Sequence, residues 1–160
     1  MEASQSLENK IRAELTAAMK NKNALTVSVL RMLTASIHAR RIEKRGSSLS
    51  SDLSDNEIIE ITGKEIKKRK ESSKMFIQGN RHDLAEKEDA ERAVLELYMP
   101  PRATTGEIDE IISRAIASVH PSSAKDFGKV IGEAMKELSG KADAGEVGSK
   151  IKEKISSMFV

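Results

Sequence analysis

A run of lysines in the first half of the sequence has the charge and spacing to bind phosphate groups. Basic residues outnumber acidic ones in the tract from Gly63 to Ser72. The candidates that point away from the apolar stripe on a helical wheel are Lys67, Lys68, Lys70 and Lys74. Ammonium groups on a solvated face can neutralise phosphates, which gives salt-dependent binding to nucleic acid. A helix face that is merely solvated is the competing interpretation.

A second, weaker basic ridge is predicted near the C-terminus. Lys125 and Lys129 lie on the outer face of a predicted helix, and Lys141 lies in the corner after it. None of these lysines is expected to be committed to an ion pair within its own helix. Aromatic residues make up only 2% of the chain, so few side chains could stack on unpaired bases. An RNA partner would therefore be bound through its folded backbone, by shape and charge.

Some of the charged side chains are predicted to face inward. Glu65 and Arg69 are four residues apart on the apolar stripe of their helix. Their candidate partners further along the chain are Arg81, Asp83 and Glu91. Because buried charges are almost always paired, a structural ion pair is favoured over a direct functional role.

The residue types needed for catalysis or metal binding are not arranged in any recognisable pattern. His38, His82 and His120 lack ligand spacing, and a zinc site needs three or four convergent ligands. The chain has no cysteine, which excludes disulfides and thiolate nucleophiles. No serine sits in a nucleophile elbow, and no glycine-rich phosphate loop follows a strand. We therefore predict no catalytic residue, no metal and no cofactor.

The elements that position these residues are predicted to be helices throughout. Hydrophobic residues make up 38% and charged residues 32%, which suits a helical protein with long solvated faces. The first four helices are predicted to start near Ser6, Asn23, Ser54 and Asp83, and Ser54 and Glu57 have the spacing of a capping box. The fourth places Leu97 and Tyr98 inward and stops at Pro100–Pro101. This proline pair gives the predicted domains, residues 1–99 and 100–160, and the serine-rich segment from Gly46 to Asp52 is predicted to be a mobile loop.

Three further helices are predicted after the proline pair. Thr104 and Glu107 have capping-box spacing at the start of the fifth. Ser123 and Asp126 have the same spacing at the start of the sixth. The apolar stripe of the last helix is predicted to extend to Phe159.

The last two helices are predicted to form a hairpin with a tight corner. Gly140 occupies a C-cap position, and Asp143 starts the next helix with Glu146. Gly128 and Gly132 lie four residues apart on one stripe, which predicts close approach of another helix.

Two motifs resemble the GatB/YqeY family. One is the segment KDFGKVIG from Lys125 to Gly132, followed by GKAD from Gly140 to Asp143. The other runs from Arg69 through Arg81 and Asp83 to Pro100. The resemblance extends from Leu7 to about Ile155. One departure is Ala144, where the family usually has glycine directly after the aspartate.

The resemblance implies an all-α fold with a four-helix N-terminal unit and a three-helix C-terminal unit. It also implies similarity to the tail domain of the B subunit of the tRNA-dependent amidotransferase, which grips the tRNA body. The family label is carbon–nitrogen ligase with glutamine as amide donor. Because no catalytic constellation is visible, we expect a tRNA-binding accessory protein, with tRNA and a translation-related protein as partners. The alternative is a helical protein-interaction module that contacts no RNA.

Location is inferred from what the sequence lacks. No apolar run approaches the roughly 20 residues of a membrane span. The segment from Met1 to Leu7 lacks the features of a secretory signal. The expectation is a cytoplasmic protein with no membrane partner, although a processed organellar protein would have the same composition.

Overall fold

Every regular element in the computed structural model, which describes residues 6–46 and 52–158, is helical. This confirms the predicted all-α class for the described residues. The elements in chain order are α1 (Leu7–Lys20), α2 (Ala24–Arg45), α3 (Asp55–Gln78), α4 (His82–Glu96), α5 (Thr105–Val119), a 3₁₀ turn (Ala124–Asp126), α6 (Phe127–Leu138) and α7 (Ala144–Met158).

The helices group into two units. One comprises Met1–Met99 and contains α1 to α4, and the other comprises Pro100–Val160 and contains α5 to α7. Within the described residues, no helix is long and apolar enough to cross a membrane.

Side-chain caps fix where most of the helices begin. Ser54 and Glu57 form a reciprocal capping box at α3, and Thr104 and Glu107 form another at α5. Each box satisfies two backbone amides that would otherwise lack partners at the helix start. Both predicted boxes are therefore confirmed.

The core of the N-terminal unit consists of apolar side chains from all four helices. Its buried members are Ile11, Val29, Leu30, Leu33, Ile37, Ile58, Leu95 and Tyr98. Leu97 is different, since it is 72% exposed although the sequence placed it inward. The reason is that Leu95 and Tyr98, three residues apart, share the buried face, while Leu97 is turned about 200° from Leu95.

The core of the C-terminal unit is built from three helical stripes that meet. Its buried members are Ile108, Ile112, Ala115, Val130, Ala134, Leu138, Val147, Ile151 and Ile155. Phe159, the predicted end of the last stripe, lies outside the described residues.

The start of α6 differs from the sequence prediction. Ser123 caps the short 3₁₀ turn by accepting from the Lys125 amide, and Asp126 accepts from the amide and hydroxyl of Ser122. The expected reciprocal box between Ser123 and Asp126 is therefore wrong, because the chain makes one tighter turn before the α-helix begins at Phe127.

The predicted close packing at Gly128 and Gly132 is also wrong. Both glycines are exposed, and a Cβ built on either would meet nothing within 4 Å. They lie two residues from Val130 and Ala134, which places them about 200° around the helix from the buried stripe. The glycine that faces a neighbouring helix is Gly148 in α7, whose Cβ would lie 3.4 Å from Ile131 Cδ1.

Candidate nucleic-acid interface

The outer face of α3 presents an exposed row of lysines. The predicted phosphate-binding residues Lys67, Lys68, Lys70 and Lys74 are all exposed. Within the described part of the chain, none of the four has a hydrogen bond or an ion pair. From Lys67 to Lys74 the helix rises about 10 Å. The structure therefore leaves four ammonium groups available over two helical turns.

The same face includes charges that the prediction did not weigh. Lys64 is exposed and lies one turn before Lys67, so it extends the row. Helical spacing of three residues was the signal that could have identified it. Glu60 and Glu71 are exposed on this face as well, which makes the surface predominantly rather than uniformly positive.

The opposite face of α3 is anchored by a buried charge cluster. Arg69 lies 3.1 Å from a carboxylate oxygen of Glu65 and 3.3 Å from one of Glu91. The side chain of Arg69 is only 8% exposed and those of both glutamates 15%, so the ions are largely removed from water. The predicted structural pairing with Glu91 is present, and it joins α3 to α4.

The charge cluster also joins α3 to α2. The hydroxyl of Ser36 donates to Glu65 over 3.2 Å, and Arg69 donates to the sulfur of Met32. Neither contact could be predicted from sequence, because Ser36 and Met32 lie on another helix and belong to no charge pattern. Contacts to both neighbouring helices fix the rotation of α3 and hence the direction of its lysines.

Arg81 and Asp83 lie apart from this cluster. They form an exposed bidentate pair with each other, at 3.0 and 2.8 Å, at the start of α4. The hydrogen bond from Arg81 lowers the pKa of Asp83 below its ordinary value. The suggested pairing of Glu65 and Arg69 with these two residues is therefore wrong, because Glu91 occupies that position.

Only part of the C-terminal ridge remains available. Lys125 and Lys141 are exposed, whereas Lys129 is bound to Asp126 at 2.8 Å within its own helical turn. The hydrogen bond from Lys129, followed by those from Ser122, lowers the pKa of Asp126 to about 2. The expectation that Lys129 is free of an intrahelical pair is therefore wrong.

The corner that holds Lys141 has a defined geometry. Gly140 has φ of 73°, a left-handed conformation that glycine adopts without a side-chain clash. Asp143 Oδ1 then accepts from the amides of Gly145 and Glu146, at 2.8 and 3.1 Å. Ala144, where the family usually has glycine, is the first residue of α7. The corner therefore forms without a glycine at this position.

The described residues show no arrangement typical of catalysis. They contain no group of three or more His, Asp or Glu side chains that could hold a metal ion. A surface depression on α5 is lined in part by Ser113, whose hydroxyl donates to the Asp109 carbonyl within the same helix. The same hydroxyl accepts from the ammonium group of Lys154 at 3.2 Å, so Ser113 belongs to a polar contact between α5 and α7.

Comparison with known proteins identifies similar chains. A profile of the YqeY-like protein family matches residues 8–155. The chain is 30% identical over 151 residues to "Altered inheritance of mitochondria protein 41, mitochondrial" from Pyrenophora tritici-repentis, covering 92% of this chain and 80% of the relative. It is 29% identical over 115 residues to the protein of that name from Lachancea thermotolerans, covering 71% and 59%. The protein from Kluyveromyces lactis is 28% identical over 156 residues, covering 93% and 80%.

These relatives correct the expectation of a cytoplasmic location. Four curated relatives are named as mitochondrial proteins. The cytoplasmic expectation rested on missing signals, and it is wrong because proteins with this kind of sequence bear a mitochondrial name.

Proposed function

Because the chain belongs to the family of YqeY-like proteins, we propose that it binds folded RNA of the tRNA type through the outer face of α3. The observation that supports this most directly is the row of exposed lysines without an ion-pair partner in the described part of the chain. An acidic helix or a fully paired one could not attract a phosphate backbone. The lysine row of α3 can attract a phosphate backbone, since its ammonium groups are free to replace condensed counterions.

The proposed contact depends on charge and shape rather than base sequence. The exposed face of α3 has no aromatic side chain on which a base could stack, and lysine contacts phosphates as a point charge. Backbone contacts of this kind position a folded RNA without reading its sequence directly.

The C-terminal unit contributes a smaller second surface in this proposal. The cations of the predicted ridge that remain available are Lys125 and Lys141, and the unit as a whole has nine basic and nine acidic residues. Electrostatic attraction to this unit is therefore weaker than attraction to α3. We propose that it assists a contact that α3 begins.

The proposal extends to organisation, location and role. We infer that α1 to α4 and α5 to α7 are separate folding units of four and three helices. The names of the relatives support a mitochondrial site of action. Since we identify no catalytic arrangement among the described residues, we propose an accessory role and no independent ligase reaction.

The test is binding of bulk tRNA across a salt series by gel shift. The variant reverses three charges of the row, Lys67→Glu, Lys68→Glu and Lys70→Glu. The matched control reverses three exposed lysines elsewhere, Lys20→Glu, Lys87→Glu and Lys152→Glu, and so changes the net charge equally. Each lost phosphate contact lowers the slope of log affinity against log salt by about 0.7 to 0.9. The three reversals together should therefore lower the slope by about 2 to 3.

The control should shift the affinity much less, with circular dichroism showing intact helices in both proteins. Equal losses in variant and control would show that only net charge matters and would remove the α3 site. Unchanged affinity after reversing Lys125 and Lys141 as well would remove RNA binding and favour the protein-interaction alternative.

A further inference from the structure

We propose that one end of the N-terminal unit docks on a lipid surface with anionic headgroups. Two helical corners form this end, residues 19–25 between α1 and α2 and residues 74–83 between α3 and α4. We call the two corners together the corner end. Each of them presents exposed apolar side chains beside basic ones, a combination typical of proteins that lie on a membrane surface. The expectation of no membrane partner rested on the absence of a spanning segment, which a surface contact does not need.

Contacts between α2 and α3 place the two corners at the same end of the unit. Residues later in α2 contact residues earlier in α3, so the two helices run antiparallel. Met32 of α2 contacts Arg69 of α3, and Leu25 lies seven residues before Met32. Ile77 lies eight residues after Arg69. With a rise of about 1.5 Å per residue, Leu25 and Ile77 both lie about 10 to 12 Å beyond that contact, in the same direction.

The two corners close with the same backbone motif. Lys22 in the first corner and Asn80 in the second both have a left-handed backbone, with φ of 55°. Their amides donate to the carbonyls of Met19 and Ile77, at 3.3 and 3.0 Å, and the next amide in each corner donates one residue further back. These hydrogen bonds form a Schellman motif. Met19 and Ile77 therefore occupy equivalent positions, and each is 50% exposed, so each corner holds one apolar side chain in water at a defined place.

The exposed apolar side chains of the N-terminal unit concentrate at the corner end. Leu25, which is 37% exposed, and Met75, which is 70% exposed, lie there with the two side chains of the motifs. The other two large exposed apolar side chains in the described part of this unit, Ile42 and Leu97, lie toward its opposite end. Because the four side chains extend from two separate corners, a fluid lipid surface can cover them without a matching contour. An RNA backbone has no apolar layer that would do so.

The charges of the corner end complement an anionic surface. The first corner has two exposed lysines, Lys20 and Lys22, and no acidic residue. In the second corner, the one acidic residue, Asp83, is paired with Arg81, and Lys74 is exposed. Within the described residues, the ammonium groups of the three lysines have no hydrogen bond or ion pair. Each such cation near an anionic bilayer raises the membrane affinity about fivefold, and salt screens the attraction.

The first test is flotation of the full chain with lipid vesicles, without RNA. We expect vesicles that contain phosphatidylglycerol to bind the chain about tenfold or more tightly than vesicles of phosphatidylcholine alone. The variant Met19→Gln with Ile77→Gln removes two apolar side chains without changing the charge, and it should weaken binding about tenfold. The matched control, Ile42→Gln with Leu97→Gln, removes two exposed apolar side chains from the opposite end and should bind as the wild type does. No binding of the wild type to the anionic vesicles, or equal losses in variant and control, would overturn the proposal.

The second test reverses two charges at the corner end, Lys20→Glu with Lys22→Glu. Its matched control is Lys87→Glu with Lys152→Glu, at exposed sites outside the corner end. The variant should weaken binding to the anionic vesicles about tenfold or more, and the control should weaken it much less. Equal losses would show that net charge alone attracts the chain to the vesicles, and they would overturn the proposal.

A third variant separates the lipid contact from the proposed RNA contact. Lys67→Glu with Lys68→Glu changes the net charge equally but lies in the lysine row of α3, so it should reduce vesicle binding less than the corner variant does. A larger loss would place the lipid contact on α3 and overturn the proposal. The uncharged variant Met19→Gln with Ile77→Gln should keep the affinity of the wild type for tRNA, so failure of one proposal is distinguishable from failure of the other. Circular dichroism checks that the helices of every variant are intact.

Discussion

The two units of this chain hold their helices together in different ways. In the N-terminal unit, an apolar core lies beside the buried charges of Glu65, Arg69 and Glu91. In the C-terminal unit, every buried residue in the described range is apolar. Its ion pairs, such as Lys150 with Asp109, lie at the exposed or half-exposed edges of the helices.

The difference shows what each kind of core specifies. Apolar packing alone is non-directional, and it holds α5 to α7 together through stripes of similar side chains. A buried ion cluster tolerates one arrangement only, because a displaced helix would leave a desolvated charge without its partner. In the N-terminal unit, the cluster therefore fixes the rotation of α3, the helix with the exposed lysines.

The largest expected effect comes from removing the cation of the cluster. Arg69→Met leaves two largely buried carboxylates without their common partner, so we expect the free energy of unfolding to fall by about 3–5 kcal/mol. Urea unfolding monitored by circular dichroism measures this change.

The control for that prediction removes the whole cluster. The triple variant Glu65→Leu, Arg69→Met, Glu91→Leu has no charge left to desolvate, and it should recover most of the lost stability. If the single variant cost less than about 1 kcal/mol, the cluster would behave as a solvated surface pair and the contrast between the units would fail.

A somewhat smaller effect is expected from a truncation in the purely apolar core. Leu138 is fully buried, and Leu138→Ala should cost the C-terminal unit about 2–5 kcal/mol. The chain has one tyrosine, Tyr98, which is buried in the N-terminal unit, and no tryptophan. Tyrosine fluorescence therefore follows that unit alone, while circular dichroism follows both.

If the units fold separately, Leu138→Ala lowers the midpoint of one circular-dichroism transition and leaves the tyrosine midpoint unchanged. A common shift of both signals would show that the two units unfold together. Leu33→Ala, at a fully buried site in the N-terminal unit, is the matched control, and it should move the tyrosine midpoint.

The smallest effect distinguishes two glycines of the C-terminal unit. Gly148→Leu would push a side chain into Ile131 and Phe127, and we expect a loss of about 1–3 kcal/mol through overpacking. Gly132→Leu enters open space on an exposed helix face, so it should be neutral or raise stability by up to about 1 kcal/mol. Thermal unfolding of the two variants side by side measures the difference, and equal losses would contradict the exposed position of Gly132.

Local rules in the sequence were sufficient for most of the helices and several of their ends. The capping boxes at Ser54 and Thr104 depend only on residues three positions apart, and both form as predicted. The box expected at Ser123 failed because a 3₁₀ turn uses the same residues differently. Spacing alone does not distinguish these two turns, since their hydrogen bonds differ by one residue.

The sequence by itself determined the helical class, the inward direction of Glu65 and Arg69, and the solvent exposure of the α3 lysines. All of these follow from helical periodicity within one segment. Only the tertiary structure decided that Glu91, Ser36 and Met32 surround the charge cluster, because these residues reach it from other helices. The same dependence on other helices explains why close packing was wrongly predicted at Gly128 and Gly132. A helical wheel shows which residues share a stripe, but whether a second helix covers that stripe depends on contacts between segments far apart in the chain.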